Sequence, residues 1–281
     1  MLSWFTRGGV LDPQGPVAHS ERLILFDSTA IMLAVIVPVI LATLAFAWWF
    51  RAGNAKAVYR PDWAYSGRLE FIVWSIPTLV VLLLGGIGWV SSHDLDPYKP
   101  LNSTAKPLEV QVVSLDWKWL FIYPDQGVAS VNQLVIPAGK PVHFRLTSAT
   151  VMNSFFVPQL GSQIYTMAGM VTQLSLQADR PGAWYGLSAQ FSGDGFSDMG
   201  FQTRALSQAD FDSWVAAAKS SKPLDSDSYA TLAKESKAVK PETYRAVEPD
   251  LFDRIVDFTA PPADTQPQGP QGPIQPRPKG E

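Results

Sequence analysis

Cysteine is missing altogether from the 281 residues. Its absence removes disulfides, zinc fingers, iron–sulfur clusters, c-type haem attachment, thiol nucleophiles and any copper centre built on thiolates. Histidine is nearly as scarce: the only three, His19, His93 and His143, are scattered singly along the chain. Charge is thin too. Charged residues make up 17% of the chain, against ~25% in an average soluble domain. A net charge of −3 without a long basic run argues against binding nucleic acid through its phosphates. What the chain has is apolar mass, 47% of residues, and length enough for roughly two domains.

That mass is concentrated near the N-terminus. From Thr29 to Phe50 there is no charged residue, and a helix rising 1.5 Å per residue over such a stretch matches the ~30 Å hydrocarbon core of a bilayer. A second uncharged stretch runs from Phe71 to Ser92. Pro38 and Pro77 fall inside these spans, where neighbouring groups can satisfy the freed carbonyl, so a kink is expected and not a break. The loop at 51–68 carries Arg51, Lys56, Arg60 and Arg68 against the single acid Asp62, whereas Arg7 and Arg22 before the first span are balanced by Asp12, Glu21 and Asp27. The positive-inside rule therefore predicts a cytoplasmic loop, with both termini and everything after Ser92 outside. Trp48, Trp49, Trp63, Tyr65 and Trp89 lie near the span ends, where an aromatic belt belongs. Residues 1–20 lack an apolar signal-peptide core and a cleavage site, so the first span is expected to be retained.

The remainder reads as an exported domain. Glu109 to Tyr123 alternates Val113, Leu115, Trp117, Trp119 and Phe121 with Ser114, Asp116, Lys118 and Leu120, which predicts one strand with one buried face. Further short strand-like runs, VNQLVIP, PVHFRLTS, MNSFFVP, VTQLSLQ, AWYGLSAQ and GFQTRAL, are separated by turn signals such as PAGKP and SGDG. Many short strands predict a β-sandwich or barrel. Ser207 and Asp210 have capping-box spacing before a helical face of Phe211, Trp214, Val215 and Ala218. A second amphipathic stretch, from Pro249 to Phe258, groups Leu251, Phe252, Ile255 and Val256. The expected organisation is a periplasmic N-terminal segment at 1–22, a helix hairpin at 23–92, a sandwich at 93–206, a helical extension at 207–258 and a disordered Pro/Gln/Gly-rich tail at 259–281.

Two spans followed by an exported sandwich, with the segments DWKWLFIYPDQG, VMNSFFVPQLGSQIYTMAGM and RPGAWYGLSAQFSGDGFSDM, resemble subunit II of the haem-copper respiratory oxidases, in the quinol-oxidase branch of cytochrome bo type. The similarity runs from about Leu11 to Phe258. It implies a two-helix transmembrane hairpin plus an all-β cupredoxin-like sandwich with a small C-terminal helical extension. In the copper-bearing branch these segments carry a histidine and a C-x-E-x-C-x3-H-x2-M pattern. Carried onto this chain, the first histidine falls on Asn153, the cysteines on Ser188 and Ser192, the glutamate on Gln190 and the second histidine on Phe196, with Met199 alone retained. A neutral hydroxyl does not replace a bridging thiolate, and neither an amide nor a phenyl ring replaces imidazole. No metal or other cofactor is therefore expected in this chain.

The resemblance further implies a non-redox subunit of a proton-pumping ubiquinol oxidase in the bacterial inner membrane, reducing oxygen to water with electrons from quinol. Haem and copper would belong to the catalytic subunit I, with subunits III and IV, membrane lipid and ubiquinol as the other partners and no nucleic acid. Glu70, just before VWSIP, takes a place the family implies at the mouth of a proton-uptake channel; by its residue type alone it is an anion favoured at a helix start. Trp117 and Trp119 resemble the patch that receives electrons in copper-bearing relatives, but without copper they are expected to be structural, with Asp116 and Lys118 on the polar face of the same strand. His143 is expected to meet solvent or a polar partner. Met152, Met167, Met170 and Met199 are assigned to packing and subunit contact. YGLSAQ lacks the G-x-S-x-G elbow of a serine hydrolase. Relatives often carry a lipid-modified cysteine before the first span, which this sequence lacks. The alternative is a membrane-tethered periplasmic binding or scaffold protein.

Overall fold

The computed structural model describes residues 9–58 and 60–261, so Arg7 and all but the first residues of the expected disordered tail lie outside the described residues. The chain divides into two compact units, Ser20–Asp96 and a second formed by Met1–His19 with Pro97–Glu281.

The first unit contains most of α1 (Pro16–Trp49) and all of α2 (Gly67–Asp94). None of the most apolar window of either helix is buried, unlike a core helix of a soluble protein and as expected where the surroundings are lipid or a partner. Helix α1 starts well before the uncharged stretch because Pro16 is favourable at a first helical position, its missing N–H being an orphan there in any case. Pro38 and Pro77 both remain inside continuous helix. Beyond Pro77, Thr78 Oγ1 donates back to Trp74 O at 2.7 Å, a bond that bends a helix without breaking it. The end of α1 is closed by side chains: Arg51 Nη1 donates to Trp48 O at 2.9 Å and Asn54 Nδ2 to Trp49 O at 2.6 Å, satisfying last-turn carbonyls.

The second unit is a sandwich of β1 (Leu108–Leu115), β2 (Lys118–Tyr123), β3 (Val128–Val131), β4 (Gln133–Pro137), β5 (Val142–Ser148), β6 (Asn153–Phe156), β7 (Ile164–Thr166), β8 (Thr172–Leu176), β9 (Gly182–Ser188) and β10 (Gly200–Leu206), extended by α3 (Gln208–Ala218), α4 (Ser226–Ala233), β11 (Glu242–Arg245) and α5 (Leu251–Val256). One sheet has the order β11-β3-β2-β1-β5-β8, the other β4-β10-β9-β6-β7. The pairs β1–β5 and β4–β10 are parallel and the rest antiparallel.

Two expectations need correction. The stretch 109–123 is a hairpin and not one strand: Leu115 pairs with Lys118 across a two-residue tip, Asp116–Trp117, and Trp117 takes φ 59° in the left-handed region. The turn breaks the phase of the alternation. Trp119 and Phe121 face the opposite sheet, where they meet Phe155 and Phe201 at ring-centroid distances of 5.2–6.3 Å. Val113, Leu115, Leu120 and Ile122 face the other way, into a second core. Each such side chain contributes ~1.5–3 kcal/mol of burial. Gly186 leaves room for this aromatic packing, since a Cβ there would lie 2.1 Å from the Phe201 ring.

The second correction concerns the extension, which is more than helical. Its strand β11 pairs antiparallel with β3, covering a sheet edge that would otherwise offer unpaired backbone groups. Leu224, Tyr229, Tyr244, Leu251, Phe252 and Ile255 then close the second core from outside. With a layer on each face, every residue of β2 is buried. Helix α3 begins as expected at Ser207, whose Oγ accepts from Asp210 N at 3.2 Å. The N-terminal segment also joins this unit: Gln14 N donates to Gln159 O at 2.7 Å, and Gln14 accepts from Asp179 N and Arg180 Nε, each at 2.8 Å.

Candidate functional site

The start of β6 and the end of β9 lie side by side, Phe155 pairing with Ser188. That register brings Asn153 to Ser188, and the loop leaving β9 folds back through a short helical turn at Phe196–Asp198 so that Met199 O accepts from Ser188 N at 3.2 Å. The structure thus brings together Asn153, Ser188, Gln190, Ser192, Phe196 and Met199, of which Asn153, Ser188 and Met199 are buried.

Their polar atoms are directed at one another. Ser188 Oγ lies 3.2 Å from both Asn153 Oδ1 and Gln190 O and donates between them. Asn153 Nδ2 donates to Val151 O at 3.1 Å. Ser192 Oγ points its hydroxyl at Met199 Sδ, 3.9 Å away. Phe196 packs edge-on against the exposed Phe191, ring centroids 5.6 Å apart. The donor set is two hydroxyls, two amides and one thioether, with no thiolate, imidazole or carboxylate, which does not fit a dinuclear copper centre. Among the described residues no group of three or more His, Cys, Asp or Glu side chains could hold a metal ion.

Beside this cluster stands the hairpin tip. Trp117 Nε1 donates to Ser192 O at 3.0 Å, and the indole lies so close to Gly195 that a Cβ there would come within 2.2 Å of Trp117 Cδ2. Lys118 is not on an exposed polar face as expected. It is 1% exposed, and its Nζ donates to Lys234 O and Ser236 Oγ, both at 2.7 Å, and to Asp116 O at 3.2 Å. Burial lowers its pKa to about 8, against the opposing pull of Asp116 and Glu235. Alternation alone placed Lys118 outside; the covering layer comes from residues more than a hundred positions later.

The remaining candidates lie elsewhere. His143 bridges Glu109 Oε2 at 2.9 Å and Gln173 Oε1 at 3.2 Å, a polar cross-strand cluster. Burial raises the Tyr123 pKa, and the phenol oxygen accepts from Val135 N at 2.9 Å. Glu70 belongs to the helical unit, exposed in the first turn of α2 behind Ser66, whose side chain makes no capping bond. His93 sits in the last turn of the same helix, against Trp89 O at 2.8 Å.

A sandwich preceded by two long apolar helices, with neutral side chains at Asn153, Ser188, Gln190, Ser192 and Phe196, defines a subunit II-type ectodomain. The family model for the cytochrome c oxidase subunit II periplasmic domain matches residues 126–206, and that for the COX aromatic rich motif matches 218–259. The chain is 50% identical over 248 residues to the cytochrome bo(3) ubiquinol oxidase subunit 2 of Pseudomonas aeruginosa, covering 88% of this chain and 75% of that one. It is 52% identical over 249 residues to the ubiquinol oxidase subunit 2 of Acetobacter aceti, covering 88% and 81%. Among solved structures, the periplasmic domain of subunit II of cytochrome oxidase from Bradyrhizobium japonicum aligns with 42% of this chain and 97% of its own, at 26% identity and a TM-score of 0.39. The chain belongs to the ubiquinol oxidase subunit 2 family, and its ectodomain is a cupredoxin-like sandwich.

Proposed function

We propose that this chain is the non-redox subunit II of a proton-pumping ubiquinol oxidase, a complex that oxidises quinol and reduces oxygen to water. The observation that carries this reading is the cluster of Asn153, Ser188, Gln190, Ser192 and Met199, in which Ser188 donates to Asn153 and the Gln190 carbonyl and Ser192 to Met199, with no thiolate or imidazole to bind copper. Electrons then enter elsewhere, from ubiquinol on a catalytic subunit I that holds the haem and copper, with subunits III and IV completing the assembly. This chain supplies no catalytic centre.

Its work is to support that subunit. Val151, Met152, Tyr165, Met170, Tyr185 and Phe191 are large apolar side chains exposed on the ectodomain, among them residues flanking the ligand cluster, and they suit a partner surface better than water. The helices sit in the bacterial inner membrane, against lipid and partner. Docking of Gln14 on Gln159, Asp179 and Arg180 supports an N-terminus on the ectodomain's side, hence a periplasmic N-terminus and a cytoplasmic 51–68 loop. Glu70 contributes to a proton-uptake mouth at that cytoplasmic end.

Purification of the tagged chain in mild detergent tests the main reading. Haem absorbance, copper in the assembly and quinol-driven oxygen uptake are expected; a colourless single chain would favour a membrane-tethered scaffold instead. For Glu70, the variant Glu70→Gln is expected to slow turnover with assembly intact, and turnover unchanged at every pH rejects that role.

A further inference from the structure

Loop 189–199 has no thiolate or imidazole set through which a metal ion could tie it together; its ends are held by backbone bonds, Ala189 N donating to Ser154 O and Ser188 N to Met199 O, and its middle meets one side chain of the hairpin tip. Trp117 holds it twice, through the bond from Nε1 to Ser192 O at 3.0 Å and through the close seat of the indole on Gly195. Trp117 is itself in a backbone conformation that a tryptophan rarely adopts, φ 59°, so something must hold the tip in place. That something is the C-terminal extension. Lys237 Nζ lies over the Trp117 ring as a cation, 5.1 Å from its centroid. The next residue along the hairpin, Lys118, reaches into the same segment and donates to Lys234 O and Ser236 Oγ. Asn132 adds a third tie, its Oδ1 accepting from Trp119 N and its Nδ2 donating to Val239 O, each at 2.8 Å.

We infer that residues 234–239 of the extension act as a latch on the hairpin tip, and that Trp117, so held, is the positioning residue that keeps loop 189–199 in shape without a metal ligand set. The path is contiguous: extension, Lys118 and Lys237, Trp117, Ser192 and Gly195. Trp117 therefore has a role opposite in kind to electron transfer, and the extension, remote in sequence, controls the surface that carries Phe191. That this surface faces a partner subunit rests on the reading proposed above; the latch itself does not.

Hydrogen–deuterium exchange on the full complex tests it, with peptides from 189–199 and 234–239 read separately. Gly195→Ala and Trp117→Leu act on the loop side, Lys118→Met and Lys237→Gln on the extension side. The exposed Lys237 gives a variant that does not threaten folding. Trp117→Phe keeps a ring and loses the N–H, and is expected to restore part of the protection lost in Trp117→Leu. Loosening the extension is expected to speed exchange in 189–199 by roughly fivefold, the scale of one lost hydrogen bond. Faster exchange in 234–239 with 189–199 unchanged overturns the latch. Co-purification of partner subunits is scored in the same samples: a mobile loop with the partners still bound leaves the latch standing and counts against the partner-facing surface.

Discussion

At the end of β9, Asn153 and Ser188 are buried as neutral groups that hydrogen-bond to one another and to nearby carbonyls, whereas at the start of β2, in the other sheet, the Lys118 ammonium is buried as a charge held by two carbonyls and a hydroxyl. The first arrangement is inexpensive to bury, because a satisfied hydroxyl or amide loses little on leaving water. The second carries a desolvation cost, visible in the lowered pKa of Lys118. The difference is one of placement: the side chains buried at the ligand positions are neutral while the loop's acids, Asp194 and Asp198, are exposed, and the charge that the ectodomain does bury lies where the extension closes over it.

Four measurements can break or sharpen that contrast. The largest effect belongs to the shared aromatic core beneath both regions: Phe155→Ala should destabilise the ectodomain by about 3–5 kcal/mol in denaturant unfolding, because Phe155 touches Trp119, Phe121, Phe144 and Phe201. Next comes pH. With a folded-state pKa of about 8 for Lys118, below the usual ~10.4, the folded chain binds fewer protons than the unfolded one between those values. Stability should therefore rise with pH across the window, by at most about 3 kcal/mol from this group. Lys118→Met should flatten that slope; an unchanged slope assigns it to other groups.

Smaller effects follow. Ser207→Ala, which removes the cap of α3, should cost about 1 kcal/mol and serves as a reference remote from both regions. Smallest is Ser192→Ala: its hydroxyl meets only a thioether, a weak acceptor, so a change within ~0.5 kcal/mol is expected from thermal unfolding. A large loss there would mean that the neutral cluster is more tightly coupled than its contacts indicate.

Much of this was legible from composition and local pattern. Two spans could be read because a bilayer sets helix length and excludes charge, requirements that each segment meets alone. The lack of a dinuclear-copper ligand set could be read because ligand chemistry needs particular atoms, and Asn153, Ser188, Ser192 and Phe196 do not carry them. The hairpin tip could not: alternation runs through Asp116 and Trp117 without a glycine or proline to mark the turn, and the left-handed conformation of Trp117 is held by residues distant in the chain. Nor could β11, four residues whose strand character depends on the edge of β3.

The sequence alone determined two segments apolar and long enough to span a membrane, the strand-rich ectodomain and the lack of a thiolate and imidazole ligand set, because each follows from residue types within one segment. Only the tertiary structure decided that both faces of β2 are core, that Lys118 is buried, and that Trp117 meets loop 189–199. Those outcomes depend on a layer contributed by residues 207–258, and burial is a property of what packs on a strand as much as of the strand itself.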